Sequence, residues 1–130
     1  MELEGAAKPE EAAEVFQQAW DEAADNVEKF VAAHYIARHQ SSVADKLKWD
    51  EIALSLALEI KDEQVKGAYP SLYLNIAKCY EDLKDFAKAR ENYELALRHT
   101  DFLLNDGYGD MIKAGIANGL ARVDVATANK

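Results

Sequence analysis

A chain of 130 residues that is 49% hydrophobic and carries 24 acidic against 15 basic side chains, a formal charge of −9, is composed for a folded core rather than for disorder. At this size a single domain buries about two-thirds of its extended surface without staples. The acidic balance excludes nucleic-acid backbone binding as the default, because that affinity comes from neutralising phosphates; the single Cys79 excludes an internal disulfide.

Two prolines and six glycines, five of the glycines beyond position 60, leave long stretches open to helix. The segment from Met1 to Glu11 is acidic and has no apolar run, and no apolar stretch approaches membrane-spanning length. The expectation is a cytoplasmic protein with no membrane segment.

Taken in order, residues 1–8 show no apolar period and are expected to be a flexible tail, followed by one helical domain over 9–125 and a frayed end over 126–130. Pro9 suits the first turn of a helix, with Glu10 and Glu11 placed well for the helix dipole. Ala12, Phe16 and Ala19 share one face, which Trp20 and Ala23 extend. Asp25-Asn26 can break and recap the chain before a helix over Val27–Gln40 carrying Phe30, Ala33, Ile36 and Ala37, although the period also runs through as one long helix. Ser41-Ser42 reads as a turn. From Val43 to Lys61 the residues Leu47, Trp49, Ile52, Ala53, Leu56, Ala57 and Ile60 form a wide apolar face, which implies burial on two sides. Ala53 and Ala57 are both candidates for its small contact position. Lys61-Asp62 closes the segment, and Gly67 and Pro70 make an unbroken helix beyond it unfavourable.

The stretch Tyr69–Thr100 is the most informative. Tyr73, Ile76, Ala77 and Tyr80 follow the spacing W-x2-L-G-x2-Y with substitutions, and Ala89, Tyr93 and Ala96 follow A-x3-F-x2-A. Large residues give each helix an apolar stripe, and the small alanines let two backbones approach. Lys84-Asp85 is the polar turn of a helical hairpin, and Phe86 can tuck beneath it. These residues resemble a tetratricopeptide repeat, with Asp101 standing where the family usually has proline. Ala12, Phe16 and Ala19 repeat the second-helix spacing, so the N-terminus resembles a repeat whose first helix is absent.

Beyond the hairpin, Phe102-Leu103-Leu104 is an apolar linker, Asn105–Gly109 a turn, and Asp110–Val125 a last helix with Ile112, Ile116, Leu120 and Val123 on one stripe. A lone helix after paired helices reads as a cap, which hairpin stacks require. The resemblance implies an all-α fold of about six helices, antiparallel hairpins stacked as a short right-handed solenoid, similar to small stand-alone bacterial tetratricopeptide proteins. It also implies a non-catalytic protein–protein interaction module with a concave groove for a peptide or partner surface. The positions matching that groove are Leu74, Asn75, Lys78 and Glu81; aligning Ile36-Ala37 with Ile76-Ala77 adds Tyr35 and Arg38, and the cap adds Lys113. Asn75 offers both a donor and an acceptor, and the three cations favour an acidic ligand.

Other constellations are weak. His34 and His39 are five residues apart, off a common helical face, so no metal or other cofactor is expected. Cys79 sits beside Lys78 but within a packed stripe, and His99 suits a helix C-terminus, so an enzyme using the thiol or the histidines is the least favoured reading. Glu81 and Asp85, like Glu91 and Glu94, read as a solvated face. Gly107-Tyr108-Gly109 completes neither a phosphate loop nor a calcium loop. Gly115 and Gly119 mark close backbone packing or, in an alternative reading without a peptide ligand, a self-associating face that shares this role with the N-terminal half-repeat.

Overall fold

The structure, a computed structural model, describes residues 9–128, without the side chains of residues 9–13, 63 and 64. The tail expected over 1–8, residues 129–130 and the packing role expected of Ala12 lie outside what is described. Among the described residues the fold is all-helical: α1 Pro9–Asp21, α2 Asn26–Arg38, α3 Val43–Glu59, a single turn α4 Glu63–Lys66, α5 Tyr69–Asp82, α6 Phe86–Arg98, a 3-10 turn Thr100–Phe102, and α7 Gly107–Ala128. The chain divides into two compact units, residues 1–60 and 61–130.

In the first unit the chain breaks between α1 and α2 because Asp25 caps α2. Its carboxylate accepts from Glu28 N at 2.9 Å, while Glu28 reaches back to Ala24 N at 2.6 Å. Two otherwise unpaired backbone donors are thereby satisfied, which favours the break over one continuous helix. Ser42 starts α3 in the same way, accepting from Asp45 N at 3.1 Å. The helix α2 buries Ala32, Ala33, Ile36 and Ala37. Phe16 of α1, 4% exposed, stacks on Tyr35 at 4.7 Å and on His39 at 5.7 Å, and Trp20 meets Trp49 edge-on at 5.2 Å. Ala53 and Ala57 are both fully buried, so both serve as close-contact positions. The buried face of α3 also takes in Asp50, 1% exposed, whose carboxylate holds Lys46 Nζ at 2.6 Å.

In the second unit α5 and α6 form the antiparallel hairpin and α7 packs on both. Pro70 lies in the first turn of α5. Lys84 turns the corner at φ 64°, and Asp85 then caps α6 through Lys88 N at 3.2 Å. Ala77, Ala89, Tyr93 and Val123 form the core, with Leu74, Tyr80, Phe86 and Leu120 packed against it. At the far end Tyr73 and Phe102 stack on the His99 ring at 5.3 and 5.9 Å, and Tyr69 meets it edge-on. His99 Nδ1 bonds Leu95 O at 2.7 Å. The imidazole is thus an aromatic packing element as well as a group at a helix terminus.

The last helix is longer than the sequence pattern predicts at both ends. Asp106 accepts from Gly109 N at 2.7 Å, which draws Gly107–Gly109 into the first turn of α7 instead of a free loop. At the other end Arg90 of α6 pairs with Asp124 and reaches Thr127 Oγ1 at 3.3 Å, and the helix continues to Ala128.

Candidate functional site

The residues expected to form a groove fall in both units. In the first, Tyr35 and Arg38 come together: the guanidinium carbon lies 5.6 Å from the Tyr35 ring centroid, a cation–π distance. In the second, Leu74 is half-buried against the core, and its Cδ2 lies 3.2 Å from where a Cβ on Gly115 would sit. Leu74 is therefore a packing residue facing α7. Asn75 is half-buried, and its side chain makes no hydrogen bond among the described residues. Lys78 is exposed and paired with Asp82 at 2.6 Å, and Lys113 is exposed on α7. The repeat-spacing residues Tyr73, Ile76, Ala77, Ala89, Tyr93 and Ala96 are buried, and Tyr80 is half-buried.

Glu81 is not a solvated carboxylate. Its side chain is 12% exposed and joins all three helices of the second unit. Tyr93 Oη donates to Oε1 at 2.7 Å, while Arg122 Nε donates to Oε2 at 2.7 Å and its Nη2 reaches Oε1 at 3.1 Å. Burial acts to raise the Glu81 carboxyl, but the hydrogen bonds from Arg122 and Tyr93, with the charges of Arg122 and Lys78, outweigh it and hold the group below the ordinary carboxylate value. Burial, and then the neighbouring carboxylate, push the Tyr93 phenol well above its usual range. Burial, with Tyr69 nearby, likewise raises Tyr73. This bidentate, hydrogen-bonded carboxylate is organised to hold helices together and presents no acid or base to solvent.

The Gly115-Gly119 face is filled from within the chain. Gly115 lies under Leu74, and a Cβ on Gly119 would overlap the Tyr93 ring. The spacing therefore serves close packing of α7 on its own hairpin, and a second copy cannot reach that face without displacing the helix.

An apolar cleft of about 500 Å³ opens between α1 and α2. Phe16 and Ala19 of α1, Ala23 of the connection, and Val27, Val31 and Ala32 of α2 line it, with Glu22 and Glu28 at its lip. Val27 and Val31 remain 48% and 44% exposed. No protein-family model, curated protein or solved structure matches this chain. Its chemistry must therefore be read from its own geometry.

Among the described residues no group of three or more His, Cys, Asp or Glu side chains is placed to hold a metal ion. Cys79 is 2% exposed inside the hairpin. His34 meets Tyr35 edge-on at 5.5 Å, and His39 stacks on Phe16, so both rings are engaged in aromatic packing. No described helix is long and apolar enough to cross a membrane.

Sequence reasoning missed two features. Asp50 lies three residues after Leu47 and three before Ala53, on a face it should have interrupted; that position was the available signal. Arg122 had none, because its partner Glu81 is 41 residues away.

Proposed function

We propose that the protein is a non-catalytic interaction module, built from hairpins of the tetratricopeptide kind, that receives a segment of another protein. The observation that carries this is the open α1/α2 cleft. On α6 the alanines of the A-x3-F-x2-A spacing, Ala89 and Ala96, are fully buried. On α1 the same spacing leaves Ala19 exposed and facing the cleft. A half-repeat with an uncovered contact face is a surface suited to a partner. The α5 positions Asn75 and Lys78, together with Tyr35 and Arg38 on α2 and Lys113 on α7, are proposed as further contact points, with acidic segments as their ligands.

The test is affinity capture from a native lysate with wild type, a Val27→Asp/Val31→Asp variant, and an Arg38→Glu/Asn75→Ala/Lys78→Glu variant, each shown to be folded. A partner lost only from the first variant places docking at the cleft, and one lost only from the second places it at the cationic positions. Identical capture by all three overturns both.

A second reading, self-association without a peptide ligand, is favoured by the outer face of α7. Met111 and Val125 are 60% and 63% exposed there, with Ala114, Asn118 and Ala121 exposed between them at alternating three- and four-residue spacing. Concentration-dependent mass by light scattering, abolished by Ala121→Glu, is its expected signature.

A further inference from the structure

We propose that the α1/α2 cleft takes a basic amphipathic helix from another protein. This rests on the reading of the cleft as a docking surface and adds the shape and charge of what docks.

The helical shape follows from a comparison inside the chain. In the second unit α6 and α7 are neighbours, and α5 packs against both, covering Ala89, Tyr93 and Ala96. In the first unit α1 carries the matching spacing and α2 packs beside it, but no described helix of that unit occupies the place that α5 takes in the second. The cover that the chain supplies for this kind of surface is a helix with one apolar stripe. The same kind of element, brought by a partner, buries the exposed Val27 and Val31 methyls and the faces of Ala19 and Ala23.

The charge follows from the lip. Glu22 and Glu28 border the apolar floor, and from Glu14 to Val31 the chain has five carboxylates, Glu14, Asp21, Glu22, Asp25 and Glu28, against one cation, Lys29. An incoming helix flanked by Lys or Arg meets opposite charge along its rim, while an acidic one meets repulsion. The same field disfavours the occupants this chain itself can offer. A second copy brings another net −9, and residues 1–8 hold Glu2 and Glu4 against Lys8.

The experiment uses the full chain with methyl labelling and three synthetic helical peptides of about five turns. One has a leucine stripe flanked by lysines, one has the same stripe flanked by glutamates, and one has the lysine peptide's composition shuffled so that the stripe is lost. The expected result is that the basic striped peptide moves the Val27 and Val31 methyl resonances and binds at least about tenfold more tightly than either control. Its affinity should fall as salt is raised and fall several-fold in Glu22→Lys. Equal or tighter binding of the acidic striped peptide at the same methyls overturns the charge assignment and leaves cleft docking standing. If neither striped peptide moves those methyls, the docking reading itself fails. A shuffled peptide that binds as well as the striped one reduces the effect to bulk charge and overturns the helix assignment. Contacts from Val27 or Val31 to residues 1–8 in the free chain, or concentration-dependent shifts at those methyls, identify an internal occupant or a second copy and likewise overturn the proposal.

Discussion

Glu81 shows how one side chain can join three helices, and its pH behaviour follows from the direction of its shift. Because the folded group titrates below the ordinary carboxylate value of 4.5, the unfolded chain binds its proton first as pH falls. Its contribution is complete above about pH 4.5 and is lost as pH drops through the lower folded value. Glu81→Gln should therefore cost about 1–2 kcal/mol at neutral pH, and the gap to wild type should close under acid, as read by urea denaturation across a pH series. Gly119 and Gly115 differ in the same physical terms. A methyl on Gly119 must displace the fully buried Tyr93 ring, whereas one on Gly115 meets the movable end of Leu74 at 3.2 Å. Gly119→Ala should lower stability by about 1–3 kcal/mol or more. Gly115→Ala should lie within about 1 kcal/mol of wild type, because helix propensity offsets the crowding.

Between elements, the turn from α5 to α6 concentrates two opposed effects. Lys84 occupies the left-handed region at φ 64°, which costs a residue with a Cβ about 1 kcal/mol, and so Lys84→Gly should raise the melting temperature. Asp85→Ala, which removes the cap on Lys88 N, should lower stability by about 1 kcal/mol. Ala77→Leu should overfill the hairpin contact and cost about 1–3 kcal/mol, since Ala77 has no exposed surface. This hairpin was legible in the sequence because its spacing, turn and cap all agree over 32 residues, Tyr69–Thr100. The ends of α7 were less legible, because the Asp106 cap and the Arg90–Asp124 pair depend on side-chain placement that no periodicity encodes. Glu81 was read as solvated because a helical period marks a face without revealing what comes to cover it. The open cleft escaped for the converse reason: Ala19 has the spacing of a buried residue, yet it is exposed.

Across the molecule, the two units carry different chemistry. The first holds the acidic-lipped cleft, and the second holds the satisfied Glu81 network and a face closed by its own last helix. In the first unit Val27→Asp should leave the melting temperature nearly unchanged, because its side chain is already 48% exposed. The aromatic and thiol inventories separate along the same boundary. Trp20 and Trp49, the only tryptophans, touch each other in the first unit, and the only cysteine, Cys79, is sealed in the second. Indole fluorescence thus reports residues 9–60 and thiol alkylation reports residues 61–128, without any added label. A single denaturant titration read by both signals reveals whether the halves melt as one body or in sequence, because each carries its own built-in reporter.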